Sequence, residues 1–467
     1  MSSEIRDYIP QQHLQQVLAQ AMSAGADFAE VFVEDKQSSS VALDDNKVES
    51  LSSSTDRGAG IRVIYGETTG FSHTSDLSLD GLLSAAKLAS EVSSSSASNS
   101  VGELSYRPHQ PASVVKPANE ITNDEKIALL NEADAAARAT NDAITQVSAR
   151  VGDSRRQILV ANSDGQFVTD DQSKTLFVVS TVAAGDGQLQ RGSEAVGHAM
   201  GYELFDQYDV TEIAAKAAKR AASKLNAKSA PSGTWPVVIG PGSGGVVFHE
   251  ACGHGLEADL VYKGASVYAD RVGDQVASEL VTLIDDGTMS GEWGAYQYDD
   301  EGYSGAENVL IKDGVLVDYM WDAKTGRKHG RKPSGNGRRQ SYKHLPMTRM
   351  TNTYLAGGSQ TPEEIISSVD YGVYVAALGG GEVDTASGDF VFGMVESYLI
   401  ENGELTTPLR DGQLIGNGPK VLTMINAVGN DFAMGPPGTC GKDGQGVPVG
   451  DGVPTLSVEA LTVGGAA

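Results

Sequence analysis

Residues 248–255 read Phe248-His249-Glu250-Ala251-Cys252-Gly253-His254-Gly255. Two histidines with a glutamate beside the first form the donor set of a zinc hydrolase. Neutral imidazoles hold the metal, and the carboxylate takes a proton from water. The spacing is unusual. In the common H-E-x-x-H pattern the histidines lie about 40° apart around a helix of roughly 3.6 residues per turn, whereas an i, i+5 pair lies about 140° apart. A regular α-helix cannot aim His249 and His254 at one ion. A π-bulge or local unwinding between 249 and 254 would, and Gly253 and Gly255 are where the backbone yields most easily. The alternative leaves the two histidines satisfied separately, one in the core and one at the surface.

A catalytic zinc takes three protein ligands and leaves a position for water. Cys252, Glu257 and Asp259 are the nearby candidates for the third, and Cys440 is the distant one. Cys252 would have to share a turn with both histidines and reads as a small buried hydrophobe. Cys440 lies in the loop Pro436-Pro-Gly-Thr-Cys-Gly-Lys-Asp-Gly-Gln-Gly446, too rich in glycine for packing alone to explain. A ligand and a buried free thiol are both open there.

The elements that must position these residues follow from pattern. Val237-Val-Ile239 reads as a short buried strand, Gly240-Pro-Gly-Ser-Gly-Gly245 as a turn, and about 246–260 as a helix. Gly240, Gly242 and Gly245 match G-x-G-x-x-G, but Pro241 removes an amide from any phosphate cradle and no βαβ alternation surrounds the motif. Asp313-Gly314 and Asn402-Gly403 read as hairpin turns. Upstream, helices are expected over about 14–22, 78–90, 126–139 and 210–226, the third opened by a Thr122/Glu125 capping box. Short strands are expected around 28–34 and 59–65, and several antiparallel strands over 145–198. Ser93-Ser-Ser-Ser-Ala-Ser-Asn-Ser100 has too little apolar surface to pack and reads as a mobile loop.

Glycine marks the domain boundary: 14 fall in residues 1–230 and 41 in 231–467. The expected fold is α+β, an N-terminal α+β domain over 1–230 followed by a β-rich domain over 231–467 with the metal-binding helix. The chain has 467 residues, with 61 Asp+Glu against 35 Lys+Arg, a net charge of −26. That charge argues against nucleic acid as a partner. Two cysteines exclude a disulfide framework and fit a reducing compartment. With no apolar run of membrane-spanning length and no signal-peptide layout at the N-terminus, the expected location is the cytoplasm.

The segment His249-Glu-Ala-Cys-Gly-His-Gly-Leu-Glu-Ala258 resembles the metal signature of the TldD/PmbA metallopeptidases, in their TldD branch. Asp299-Asp-Glu-Gly302, Ser334-Gly-Asn-Gly-Arg-Arg-Gln-Ser-Tyr342, Arg349-Met-Thr-Asn-Thr-Tyr354, Gly379-Gly-Gly-Glu-Val-Asp384, Thr439-Cys-Gly-Lys442 and Leu461-Thr-Val-Gly-Gly465 match the same branch. The likeness covers residues 235–467 and, more loosely, the rest. It implies zinc held by His249, His254 and Cys440, with Glu250 as the catalytic carboxylate and Glu257 supporting the ligands. It implies hydrolysis of peptide bonds, and a dimer with a PmbA-like chain or with a second copy. The rival reading is a non-catalytic peptide-binding or assembly subunit, which the intact His/Glu/His/Cys set disfavours.

Substrate contacts are assigned to three groups. Tyr342 and His344 are candidate oxyanion donors. Residues 324–349 hold nine Lys/Arg and no Asp/Glu, whereas 272–311 hold nine Asp/Glu and no Lys/Arg. Arg338 or Arg339 could therefore clamp a substrate carboxylate, or the basic run could pair with the acidic one or form a solvated face. Gly379, Gly380 and Gly381 would let an extended peptide pair with an edge strand through main-chain hydrogen bonds.

Overall fold

The computed structural model describes residues 4–92, 100–110, 114–384 and 386–465; most of the serine-rich segment, 93–99, lies outside the described residues. Strands β1 (Phe28–Asp44) and β2 (Lys47–Tyr65) are 17 and 19 residues long, far longer than the short strands expected. The apolar alternation fades where serines face each other across the ladder. Ser38 Oγ lies 2.9 Å from Ser54 Oγ, and Ser40 Oγ lies 2.8 Å from Ser52 Oγ. Asp45 and Asn46, at φ 47° and 65°, make the two-residue turn between them.

β3 (Thr68–Thr74), β4 (Ser105–Arg107), β5 (Ile144–Asn162), β6 (Gln166–Gly185) and β7 (Gln188–His198) complete the sheet. Its order is β3-β2-β1-β5-β6-β4, with β7 also on β6. Helices Gln11–Met22 and Leu79–Ser90 bury their apolar faces against one end of this sheet. Asn123–Thr140 and Val210–Leu225 cover the other end. The expected capping box is present: the Glu125 N–H donates to Thr122 Oγ1 at 3.2 Å, and the Thr122 N–H donates to Glu125 Oε2 at 2.7 Å.

The C-terminal region is β-rich, and the α+β expectation holds. Strand Tyr371–Asp384 pairs with Gly233–Ile239, which pairs with Leu456–Gly464, then Gln413–Asn417, then Asp389–Glu401. Asp389–Glu401 pairs back onto Tyr371–Asp384, so these five strands close into a small barrel. A second sheet contains Glu307–Lys312, Leu283–Asp286, Asn352–Leu355 and Gln445–Val453. One hydrophobic core spans both. Strand Gly233–Ile239 has one parallel and one antiparallel neighbour, which is not the setting of a dinucleotide fold. Among the described residues no helix is long and apolar enough to cross a membrane.

The basic run is a seam rather than a solvated face. Arg339 pairs with Glu30, Arg327 with Asp164, Lys328 with Glu67 and Lys343 with Asp56, all across to the N-terminal half. The acidic run docks the other way, Glu301 on Arg62 and Asp300 on Arg156. Tyr298 and Tyr342 fill the seam against Phe32, Ile158, Val160 and Val168. Where side chains of the two runs form ion pairs across this seam, the partners come from the N-terminal half of the chain and not from the opposite run.

Candidate metal centre

After strand Gly233–Ile239 the glycine turn brings a helix start hard against strand Gln445–Val453. A Cβ on Gly245 would lie 2.4 Å from the Gly452 amide nitrogen, so no larger residue fits this approach. One α-turn, Gly245–Phe248, widens into a π-helix over His249–Gly253 and tightens into a 3₁₀ turn over His254–Leu256. The His254 N–H donates to the His249 carbonyl, an i to i+5 bond, and the two rings meet edge to face with centroids 5.2 Å apart. This is the distortion that the spacing demands. The single helix expected to about residue 260 is instead broken at Glu257, whose backbone is extended (φ −80°, ψ 119°), before a last α-turn over Ala258–Tyr262.

Cys440 arrives from a distant hairpin, not from a loose loop. Gly438–Lys442 pairs with Gln445–Val449 around an Asp443-Gly444 turn, and Cys440 sits opposite Val447. Arg349 pins the hairpin from below, donating from Nη2 to the Cys440 carbonyl at 2.6 Å and from Nη1 to the Gln445 carbonyl at 3.3 Å.

His249, His254 and Cys440 are all buried, and one potential ligand atom from each lies within 4.8 Å of the other two. Cys440 Sγ is 3.4 Å from His254 Nε2. The other nitrogen of that ring, Nδ1, is 3.0 Å from Glu257 Oε2, so Nε2 is the one turned toward the thiol. Lys442 Nζ donates to Glu257 Oε2 at 2.9 Å and to Asp259 Oδ1 at 2.7 Å, which fixes the carboxylate that orients His254. Both ring nitrogens of His249 are buried without a hydrogen-bond partner. Native proteins rarely tolerate that, and a metal ion would satisfy one of the two nitrogens. Glu250 is only partly buried, and its Oε2 lies 3.6 Å from His254 Nε2.

The electrostatics suit a cation. Burial alone would raise the Cys440 thiol, but His249 and His254 bring it down to about 4. Burial pulls both imidazoles down, yet the Cys440 sulfur for His249, and Glu257 with Cys440 for His254, outweigh it and leave both raised. Burial works against Glu257 as well, but Lys442 and His254 hold it at about 2. The cluster thus favours a thiolate beside imidazoles that hold their protons more tightly than usual, and a divalent cation bound there would take the place of those protons.

The chain matches three family models in sequence order. These are the PmbA/TldA metallopeptidase domain 1 over residues 29–93, the central domain over 116–225 and the C-terminal domain over 232–465. The chain belongs to the PmbA/TldD metallopeptidase family. A Buchnera aphidicola protein named metalloprotease TldD homolog is 40% identical over 448 residues, covering 94% of this chain and 93% of its own. A Saccharolobus solfataricus protein named zinc metalloprotease TldD homolog is 30% identical, covering 96% of this chain and 99% of its own. A crystal structure from Thermotoga maritima shares the fold at a TM-score of 0.81, with 22% identity over 97% of this chain and 100% of that one.

The remaining candidates lie elsewhere. Cys252 donates from Sγ to the Phe248 carbonyl at 2.9 Å, and burial pushes its thiol up to about 12, as a packing residue requires. The contacts of Tyr342 and His344 run away from the cluster: the Tyr342 hydroxyl donates to Asp56 at 3.2 Å, and His344 Nδ1 lies 2.9 Å from Ser341 Oγ. Arg338 donates to two backbone carbonyls, Met350 at 2.5 Å and Pro448 at 2.6 Å, and Arg339 to Glu30 and the Asp300 carbonyl. Gly379–Gly381 lie on strand Tyr371–Asp384, which meets the glycine turn where the Leu378 N–H donates to Ser243 Oγ at 3.3 Å.

Two residues had no role in the sequence reading. Lys442 sits two positions after Cys440 and neutralises Glu257 and Asp259. Asp451 is buried within the field of His249 and Glu250, and burial pushes it up to about 7. A carboxylate between two glycines, as in Val449-Gly-Asp-Gly-Val453, carries no local signal of this kind.

Glu257→Gln should weaken zinc binding by about 10–100-fold, the range for losing a carboxylate that orients a ligating histidine. A competition titration with a chromogenic chelator measures it. Affinity equal to wild type would mean that His254 is oriented without Glu257.

Proposed function

We propose that this chain is a zinc-dependent peptidase that hydrolyses peptide bonds in unfolded or extended peptides, with Glu250 as general base. The observation that carries this reading is the buried cluster in which His249 and His254 meet an acidic Cys440 thiol, one potential ligand atom from each within 4.8 Å of the others. Two imidazoles and a thiolate form a donor set that suits zinc, and the Saccharolobus relative is named a zinc metalloprotease. Zinc held there supplies a Lewis acid that makes water more acidic and polarises a carbonyl. Glu250 stands beside this cluster on a partly open side, where its carboxylate takes the proton of the attacking water and delivers it to the leaving amine.

Substrate form follows from the strand that carries Gly379–Gly381. Its parallel partner ends at Ile239, opposite Val375, and Gly380 and Gly381 are exposed beyond it. An extended peptide adding to this edge would be held by its main chain, with little side-chain selectivity. We read the working unit as a dimer with a PmbA-like chain or a second copy. Both cysteines are free, which fits the cytoplasm.

The test is metal removal. Dialysis against a strong chelator should abolish cleavage of an unstructured polypeptide, and one equivalent of zinc should restore it. The same polypeptide in a folded form should resist. Cleavage that survives exhaustive chelation would overturn the zinc reading.

A further inference from the structure

In a chain of net charge −26 a buried base should find a carboxylate, and most do. Arg62 pairs with Glu30 and Glu301, Lys126 with Asp153, Arg220 with Glu194 and Glu396, and Lys442 with Glu257 and Asp259. Among the described residues Lys174, Arg338 and Arg349 are buried with no carboxylate at ion-pair distance. Arg349 is explained by the hairpin carbonyls it holds. Lys174 and Arg338 instead line one cavity of about 60 Å³ at the seam between the two halves, together with Lys36, which also forms no ion pair.

The wall is short of acceptors. Among the described residues Lys174 Nζ has only the Trp293 carbonyl as acceptor, and Arg338 only the carbonyls of Met350 and Pro448. Arg156 Nη2 and both Nε and Nη1 of Arg339, on residues of the same wall, are buried donors without acceptors. The carboxylates present are already engaged. Asp299 accepts from the backbone N–H groups of Glu301, Tyr303 and Gly337. Asp300 accepts from Arg156 and the Arg339 N–H. Asp170, behind Lys174, accepts from Gln172 and the N–H groups of Asp171, Gln297 and Tyr298. Burial, then the fields of Arg338 and Arg156, push Lys174 down to about 7.

Ser154 and Lys174 also line an open groove of about 250 Å³ with Ser38, Ser40, Arg150 and Trp293. A volume of about 60 Å³ holds roughly four to six water-sized spheres, enough for one carboxylate or phosphate group.

We propose that this cavity is an oxyanion-binding site in which Lys36, Lys174 and Arg338 hold a single carboxylate or phosphate group. The inference does not depend on the peptidase reading. Burying cations without counter-charge is costly, and an oxyanion supplies both the charge and the missing acceptors. The wall includes Val447 and Pro448, on the strand that pairs with Cys440, so an occupied cavity also braces the hairpin that bears the third metal ligand.

The test is calorimetric titration of the full chain with inorganic phosphate, with acetate, and with a short peptide bearing either a free or an amidated C-terminus, all at constant ionic strength. Saturable binding of phosphate or acetate identifies a free anion as the ligand. Binding of the free-acid peptide alone identifies a peptide carboxylate. In either case Lys174→Met and Lys36→Met should each weaken binding at least about tenfold, the effect of losing one charge-assisted contact of about 1.4 kcal/mol. Binding at the metal centre instead would leave both variants equal to wild type. That outcome, or no saturable binding of any probe to wild type, overturns the proposal. The lysine at position 36 is only half-buried, so its variant keeps the test meaningful if the Lys174 variant fails to fold.

Discussion

Glu250→Gln should lower the rate of peptide cleavage by about 10²–10⁴-fold, the usual contribution of a positioned general base, while zinc per chain stays at the wild-type value. Glutamine keeps the shape of the side chain and removes its capacity to accept a proton. The geometry separates the two effects. Zinc would be held by His249, His254 and Cys440, all buried, and Glu250 is the partly exposed carboxylate beside them. Its loss therefore touches proton transfer and not the ligand set. Metal analysis and single-turnover cleavage on the same preparation read both quantities. Cleavage within a few-fold of wild type would remove Glu250 from the mechanism, and loss of zinc would make it a ligand.

Cys440→Ser should do the reverse and strip the zinc. A serine hydroxyl stays protonated near neutral pH, whereas the Cys440 thiol, brought to about 4 by its two imidazole neighbours, is ionised there. The substitution removes the one anionic ligand and should weaken zinc binding by more than the about 10–100-fold expected of the Glu257 change. Cleavage should fall to background with it. Cys252→Ser is the contrasting variant and should retain zinc, because Cys252 is a packing residue whose thiol stays protonated.

The same electrostatics give the metal-free chain a pH dependence. Both imidazoles hold their protons above the ordinary histidine range, so zinc must displace them, and affinity should strengthen as pH rises through their raised values. A flat affinity between pH 6 and 9 would mean that Glu257 and the Cys440 sulfur do not hold protons on the two rings.

The local chemistry was legible in sequence because it is written in adjacent residues. His249 and His254 are five positions apart, and simple helical arithmetic requires a non-α backbone between them; the π-helix supplies it. The capping box at Thr122 and the turns at Asp313-Gly314 and Asn402-Gly403 are likewise determined by neighbours. The long β1–β2 hairpin was not legible, because its serines are stabilised by cross-strand bonds and leave no apolar alternation to read.

Charge was misleading for a related reason. The basic run 324–349 looks like a binding face or a solvated one, but its partners Glu30, Asp56, Glu67 and Asp164 lie more than 160 positions upstream. Cys440 reads locally as a thiol in a glycine loop; the hairpin pinned by Arg349 delivers it to histidines 186 and 191 positions away. Residue type and short-range spacing thus determined by themselves that a helix meant to aim His249 and His254 at one point must be distorted. Which distant thiol meets the two histidines, which charges pair across the seam and which lysines line a cavity without a carboxylate partner were decided only by tertiary structure. Those pairings depend on chain segments meeting across hundreds of residues, and no local pattern encodes the meeting.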